Sequence, residues 1–76
     1  MNNHQIWQTI ALDLKRAANY MAQGSQKKAE YYLSEARSLY NKQIINKKIK
    51  KIEKFIKFEG DPEDILLSGS LISVRI

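Results

Sequence analysis

The sequence contains no cysteine, one histidine and one proline, and none of its apolar runs approaches the length of a membrane span. Without cysteine the chain has neither a disulfide nor a thiolate metal ligand. The single imidazole, His4, makes a poor metal site by itself. Because a spanning helix needs about 18 consecutive apolar residues, we expect no membrane span and no secretory signal, and hence a cytoplasmic protein.

Signatures of catalysis are equally scarce. The sequence has no Gly-rich phosphate loop, and it offers neither a His-based dyad nor paired carboxylates at a plausible cleft. Asp61, Glu63 and Asp64 form an acidic cluster, but their position at a predicted helix start is explained by the helix dipole. We therefore expect a protein that is not an enzyme and that has no catalytic residue, no cofactor, no metal and no small-molecule substrate.

Two amphipathic helices are predicted on either side of Gly24-Ser25. Apolar residues recur at spacings of three and four from Ile6 to Met21 and again from Ala29 to Tyr40, which is typical of one buried helical face. Gly24 can adopt the positive φ that ends a helix, and the Ser25 hydroxyl can cap the next helix. The short turn predicts an antiparallel hairpin over residues 5–41.

Individual positions of the hairpin carry further expectations. Trp7 lies on the apolar face, so we expect its large ring to be an anchor of the core. Tyr31 lies off the apolar face and is expected to be exposed. Asp13, Lys15 and Arg16 also fall off that face and are expected to meet water.

Five residues of the hairpin occur in the order and at the spacing of a known repeat: Tyr20, Gly24, Ala29, Leu33 and Ala36. Over residues 10–43 the chain thus resembles a single tetratricopeptide repeat. It departs from that pattern at Asp13, Arg16 and Asn41, where the repeat has tryptophan, leucine and proline. The resemblance implies a helical hairpin that binds a peptide or a protein.

A lysine-rich segment follows the hairpin and has a local charge of about +6, whereas the net charge of the whole chain is +5. Against one acid, Glu53, it contains Lys42, Lys47, Lys48, Lys50, Lys51, Lys54 and Lys57. Such a surface can contact nucleic acid or another anionic surface without reading sequence. Phe55 and Phe58 would also suit an anionic membrane surface, which is the least favoured of these partners.

Four isoleucines of this segment form a second apolar stripe: Ile45, Ile49, Ile52 and Ile56. The stripe points roughly 170° away from the apolar face of the second helix. Either the chain breaks between Asn41 and Asn46, or one continuous helix offers its far half to another subunit. We favour a break and a third, basic amphipathic helix over residues 45–58, with the isoleucines as a candidate oligomer interface.

Residues 59–76 are predicted to form a short helical turn and an extended tail. Gly60 ends the basic helix, and Pro62 suits the first position of a new helix. Ser68-Gly69-Ser70 predicts another break, after which residues 71–76 alternate in the manner of a strand. Whether this tail is disordered, docked on the helices or paired with a second copy is left open.

These features predict an all-α fold in one small domain, residues 1–76. A core of this size contributes only about 3 to 5 kcal/mol, so we expect a homo-oligomer or a protein partner. The favoured function is a non-enzymatic protein-protein interaction module. The alternative is a small nucleic-acid-binding or regulatory protein that uses the lysine-rich segment, residues 42–57.

Overall fold

The computed structural model describes residues 3–43 and 47–75 of the chain. This part contains four α-helices, α1 (Asn3–Ala22), α2 (Gln26–Asn41), α3 (Lys47–Lys50) and α4 (Pro62–Arg75), and a 3₁₀ turn at Glu53–Phe55. The described residues contain no β-strand. The predicted all-α fold is therefore confirmed.

α1 and α2 form the predicted antiparallel hairpin. Trp7 near the start of α1 meets Tyr40 near the end of α2, with ring centroids 5.6 Å apart and the rings edge to face. Near the turn, the rings of Tyr20 and Tyr32 stack at 5.6 Å. Trp7 is buried and Tyr31 is exposed, as expected. α2 ends at Asn41, which confirms the predicted break.

Gly24 ends α1 in the left-handed conformation that the sequence predicts, with φ of +82°. The Ser25 N–H donates to the Tyr20 carbonyl (2.8 Å) and the Gly24 N–H to the Met21 carbonyl (3.1 Å). This pair of bonds is the Schellman motif, which needs a residue with positive φ. The predicted Ser25 hydroxyl cap is wrong, since that hydroxyl makes no capping bond. The first turn of α2 is exposed, so water can satisfy its amides.

α1 lies between α2 and α4 and packs against both of them, whereas α2 and α4 hardly touch each other. α4 approaches α1 most closely at Gly69, where an added Cβ would lie 2.9 Å from the Ala11 carbonyl oxygen. Only a residue without a side chain fits at this distance. A glycine inside a helix costs about 1 kcal/mol relative to alanine, and here that cost is offset by backbone-to-backbone packing.

The predicted break at Ser68-Gly69-Ser70 and the predicted extended tail are wrong, because α4 runs through both. Ser68 and Gly69 are buried where α4 meets its neighbours, so packing outweighs their weak helix propensity. Ile65 and Ile72 are fully buried and lie seven residues apart, on one face of the helix. The alternation of apolar and polar residues after Ser70 is too short to distinguish the two-residue period of a strand from the 3.6-residue period of a helix.

The predicted basic helix over residues 45–58 is also wrong in its extent. After α3 the chain makes separate turns, with bonds from Ile52 N–H to the Ile49 carbonyl and from Ile56 N–H to the Glu53 carbonyl. The Lys57 N–H donates to the Ser68 hydroxyl at 2.8 Å instead of continuing a helix. β-Branched isoleucines and close lysines disfavour a long helix, and the irregular path lets the isoleucines reach the core.

The core draws on every helix and on the segment between α3 and α4. Its fully buried large side chains include Ile10 and Leu14 of α1, Ile49 of α3 and Ile65 and Ile72 of α4. Phe58 adds a ring whose centroid lies 5.2 Å from that of Tyr40. Residues 49–58 therefore connect α4 with α2, through the contact of α3 with α4 and the contact of Phe58 with Tyr40. None of the described helices has the length and hydropathy that a membrane crossing requires.

Replacement of Gly69 by alanine tests the close contact of α4 with α1. Alanine stabilises a helix by about 1 kcal/mol relative to glycine, but its Cβ would clash with the backbone of α1, which costs about 1 to 3 kcal/mol of stability. We expect Gly69→Ala to lower the midpoint of thermal unfolding, measured by circular dichroism. Ser70→Ala, one residue further on and partly exposed, is the control and should change the midpoint little. An equal or higher midpoint for Gly69→Ala contradicts the close contact.

Candidate interaction site

The lysine-rich segment presents its charges to water. Lys42, Lys50, Lys51, Lys54 and Lys57 are all exposed. The one ion pair within the described residues joins Arg16 to Asp13 and involves none of these lysines. Their ammonium groups are therefore available to an anionic partner.

An exposed aromatic ring stands among these lysines. Phe55 is 51% exposed although it follows two buried isoleucines of the same segment. The Lys54 Nζ lies 5.2 Å from the centroid of the Phe55 ring, within the range of a cation-π contact. A ring flanked by ammonium groups offers both a stacking surface and positive charge. The side chains of Lys47 and Lys48 lie outside the described residues.

The isoleucines that are predicted to form an oligomer interface are part of the core of this chain. Ile49 is fully buried and Ile52 is 4% exposed. Ile56 is half-buried and packs against the same core. Ile45 lies outside the described residues. The prediction is thus wrong for Ile49 and Ile52, because their side chains pack into the core of this chain while the lysines around them stay exposed.

A different apolar surface is exposed on α4. Leu66 is 44% exposed, Leu67 is 55% exposed and Val74 is 77% exposed. At 3.6 residues per turn, Leu67, Ser70 and Val74 lie along one side of the helix, and Leu66 lies beside them. We call Leu67, Ser70 and Val74 the outer row of α4. Sequence reasoning missed this surface, although the spacing of Pro62, Ile65 and Ile72 carries the signal of a helix.

Asp13 is the most buried ionisable group among the described residues, with 1% of its surface exposed. Its Oδ1 lies 3.8 Å from Arg16 Nη1, and its Oδ2 has no hydrogen-bond partner in the described part of the chain. Burial, and next the charge of Glu35, raise the pKa of Asp13 to about 6, while Arg16 opposes the shift. The prediction that Asp13 meets water is wrong.

The burial of Asp13 follows from the position of α1 between two helices. Asp13 is three residues after Ile10 and four before Ala17, both fully buried, so it lies on the same side of the helix. A helix packed on two sides buries a wider face than one apolar stripe. The heptad spacing to Ile10 and Ala17 is the signal that could have identified this position.

An open groove of about 400 Å³ lies between α2 and the turn before α4. Leu33 and Phe58 form part of its lining, together with the carboxylates of Glu30 and Glu59. The Arg37 guanidinium, also in the lining, lies 5.9 Å from the Phe58 ring centroid. Across the described residues, no group of three or more His, Cys, Asp or Glu side chains could hold a metal ion.

Comparison of the chain with models of protein families, with curated proteins and with solved structures gives no match. The resemblance of residues 10–43 to a tetratricopeptide repeat consequently stays a prediction. Two exposed surfaces are candidates for function: the outer row of α4 and the lysine-rich segment.

The buried carboxyl group of Asp13 should make stability depend on pH. In the folded chain the Asp13 carboxyl group keeps its proton up to a pH of about 6, whereas the ordinary pKa of an aspartate is 3.8. Between these values the folded chain binds more protons than the unfolded chain, so the free energy of unfolding falls as the pH rises. Asp13→Asn has no charge to bury, and we expect it to be more stable than the parent by about 1 to 3 kcal/mol at neutral pH.

Urea unfolding at several pH values measures this effect. The advantage of Asp13→Asn should shrink as the pH falls from about 6 through 3.8, because below 3.8 the parent carboxyl is protonated in both states. Glu30→Gln, at an exposed position of α2, is the matched control and should show no such advantage. A constant difference between Asp13→Asn and the parent over this range would disprove the assignment.

Proposed function

We propose that this chain is a non-enzymatic protein-protein interaction module that binds through the outer row of α4. The observation that carries the proposal is that α4 is apolar on two sides. One side, with Ile65 and Ile72, is buried against the core, and the other exposes Leu67 and Val74. Exposed apolar surface of this kind costs free energy in water and is typical of a binding surface.

The surroundings of the outer row support this proposal. Leu12 of α1, 48% exposed, lines a shallow pocket together with Ser73 of α4. Leu12 therefore adds an exposed apolar side chain of α1 close to Ser73, three residues after Ser70. Ser70 at the centre of the row is small, so a partner helix can come close to the α4 backbone.

Affinity capture from the host with three baits tests the proposal. The baits are the parent, Val74→Glu and the control Tyr31→Glu, which places the same charge at an exposed position of α2. Both positions are exposed, so folding should survive in each variant. We expect Val74→Glu to capture at least tenfold less protein than the parent, because a carboxylate in an apolar interface must be desolvated. Equal capture by all three baits contradicts the use of α4.

A second candidate function, nucleic-acid binding, is supported by the lysine-rich segment. Its exposed lysines make no ion pair among the described residues, and Phe55 beside them is available for stacking on a base. Lysines contact phosphates without reading sequence, and aromatic rings prefer unpaired bases. We therefore expect single-stranded nucleic acid to bind better than a duplex.

Removal of charge from the segment tests this second candidate. Glutamine at Lys50, Lys51, Lys54 and Lys57 keeps the long side chains and removes four charges, so folding should survive. Affinity for single-stranded nucleic acid should fall, and its dependence on salt should become shallower by about 0.7 log units per lost phosphate contact.

Two controls make the outcome specific. Glutamine at Lys27 and Lys28, exposed at the start of α2, should leave the binding nearly unchanged. Phe55→Ala should weaken single-stranded binding by about 1 to 3 kcal/mol and affect duplex binding less. If the parent binds neither form at low salt, this candidate is excluded, and binding only to anionic vesicles would identify a membrane surface instead.

A further inference from the structure

We infer that the partner of α4 is the α4 of a second copy of this chain, packed antiparallel across a two-fold axis close to Ser70. The inference rests on the proposed function, because it uses the same outer row. It names the occupant of that surface and the arrangement in which the occupant binds.

The charges at the two ends of α4 are complementary to each other. Glu63 and Asp64 lie in the first turn, and Arg75 lies in the last. Within the described residues Arg75 belongs to no ion pair. Antiparallel pairing of two copies brings each Arg75 beside the acidic turn of the other copy, twice by symmetry. Parallel pairing would place like charges and like ends of the helix dipoles side by side.

The positions around the helix favour the same pairing. At 100° per residue, Asp64 and Arg75 lie within about 20° of each other on one flank of the outer row. In an antiparallel two-fold pair each flank faces the same flank of the other copy. Asp64 of one copy therefore lies on the side of the interface where Arg75 of the other copy lies.

The apolar side chains have the same symmetry. Leu67 and Val74 lie at nearly equal distances before and after Ser70, so antiparallel pairing sets Leu67 of each copy against Val74 of the other. At the centre Ser70 meets Ser70. Two small side chains at the crossing point let the helices approach to the lower end of the usual separation of about 8 to 10 Å.

The size of this surface predicts a weak dimer. A helix of 14 residues is about 21 Å long, and one helix and a neighbouring leucine per copy bury less than the roughly 800 Å² of a standard interface. We therefore expect dissociation in the micromolar range, with monomer and dimer in exchange.

A disulfide trap gives a direct test, because the natural sequence contains no cysteine. In the dimer of Ser70→Cys the two thiols meet at the two-fold axis. Mild oxidation at a micromolar protein concentration should therefore convert most of the protein into a covalent dimer. Ser38→Cys, at an exposed position of α2, should give at least tenfold less. Equal trapping of both variants, or of neither, overturns the inference.

Sedimentation of the parent should show a mass that rises with concentration from 8.8 kDa toward twice that value. Val74→Glu should raise the dissociation constant at least tenfold, since it places two carboxylates in the apolar row. Tyr31→Glu should leave the dissociation constant unchanged. A parent that stays monomeric at the highest soluble concentration also overturns the inference.

Charge exchange distinguishes the antiparallel pair from any different contact between two copies. Arg75→Glu and Asp64→Lys should each dimerise more weakly than the parent, because each one brings like charges together at both ends of its own dimer. An equal mixture should form a heterodimer in which both contacts are attractive. Sedimentation of the mixture with one variant fluorescently labelled detects it. Absence of a preferred heterodimer argues against the antiparallel pairing.

Failure of the inference is distinguishable from failure of the proposed function. If the parent is monomeric and Val74→Glu still abolishes capture of a host protein, the outer row binds a different protein and only the self-pairing is wrong. If the parent is monomeric and capture is also insensitive to Val74→Glu, both are wrong.

Discussion

The structure depends on α1 being packed on two sides. Because α2 and α4 both lie against α1 and hardly touch each other, another part of the chain must connect them. Residues 49–58 do so, with Ile49 and Ile52 in the core. This arrangement fixes where the remaining polar and apolar groups can go. It also buries Asp13, where an ionised carboxylate costs free energy because the helices on both sides of α1 exclude water.

The two exposed surfaces follow from this packing. Because the isoleucines turn inward, the lysines between them must turn outward, and their charges are exposed to water. α4 needs only one side to complete the core, and its second apolar side is left without a neighbour in the described structure. The chain thus has a basic surface on an irregular segment and an apolar surface on a regular helix, and the two call for chemically different partners.

The hairpin could be predicted from sequence because its signals are local: three-four spacing, Gly24 at the turn and a break after Asn41. The second half of the chain could not, because long-range contacts decide it. Gly69 has the local character of a helix breaker, but it is the point where α4 meets the Ala11 carbonyl. Lys57 has the local pattern of a helix, yet its N–H is bound by Ser68, eleven residues away in sequence. No local pattern reveals such partners, and for this reason the sequence alone favours a second subunit as the partner of the isoleucines.

Ser68 links the two surfaces mechanically. Its hydroxyl accepts the Lys57 N–H at 2.8 Å and donates to the Asp64 carbonyl at 2.9 Å, so one oxygen atom joins the basic segment to the first turns of α4. Any ligand that displaces residues 55–57 must break this junction or move α4 with it. A ligand that changes this junction from one surface would change the affinity at the other, and by the same factor in either direction, since binding free energies at two coupled sites are reciprocal.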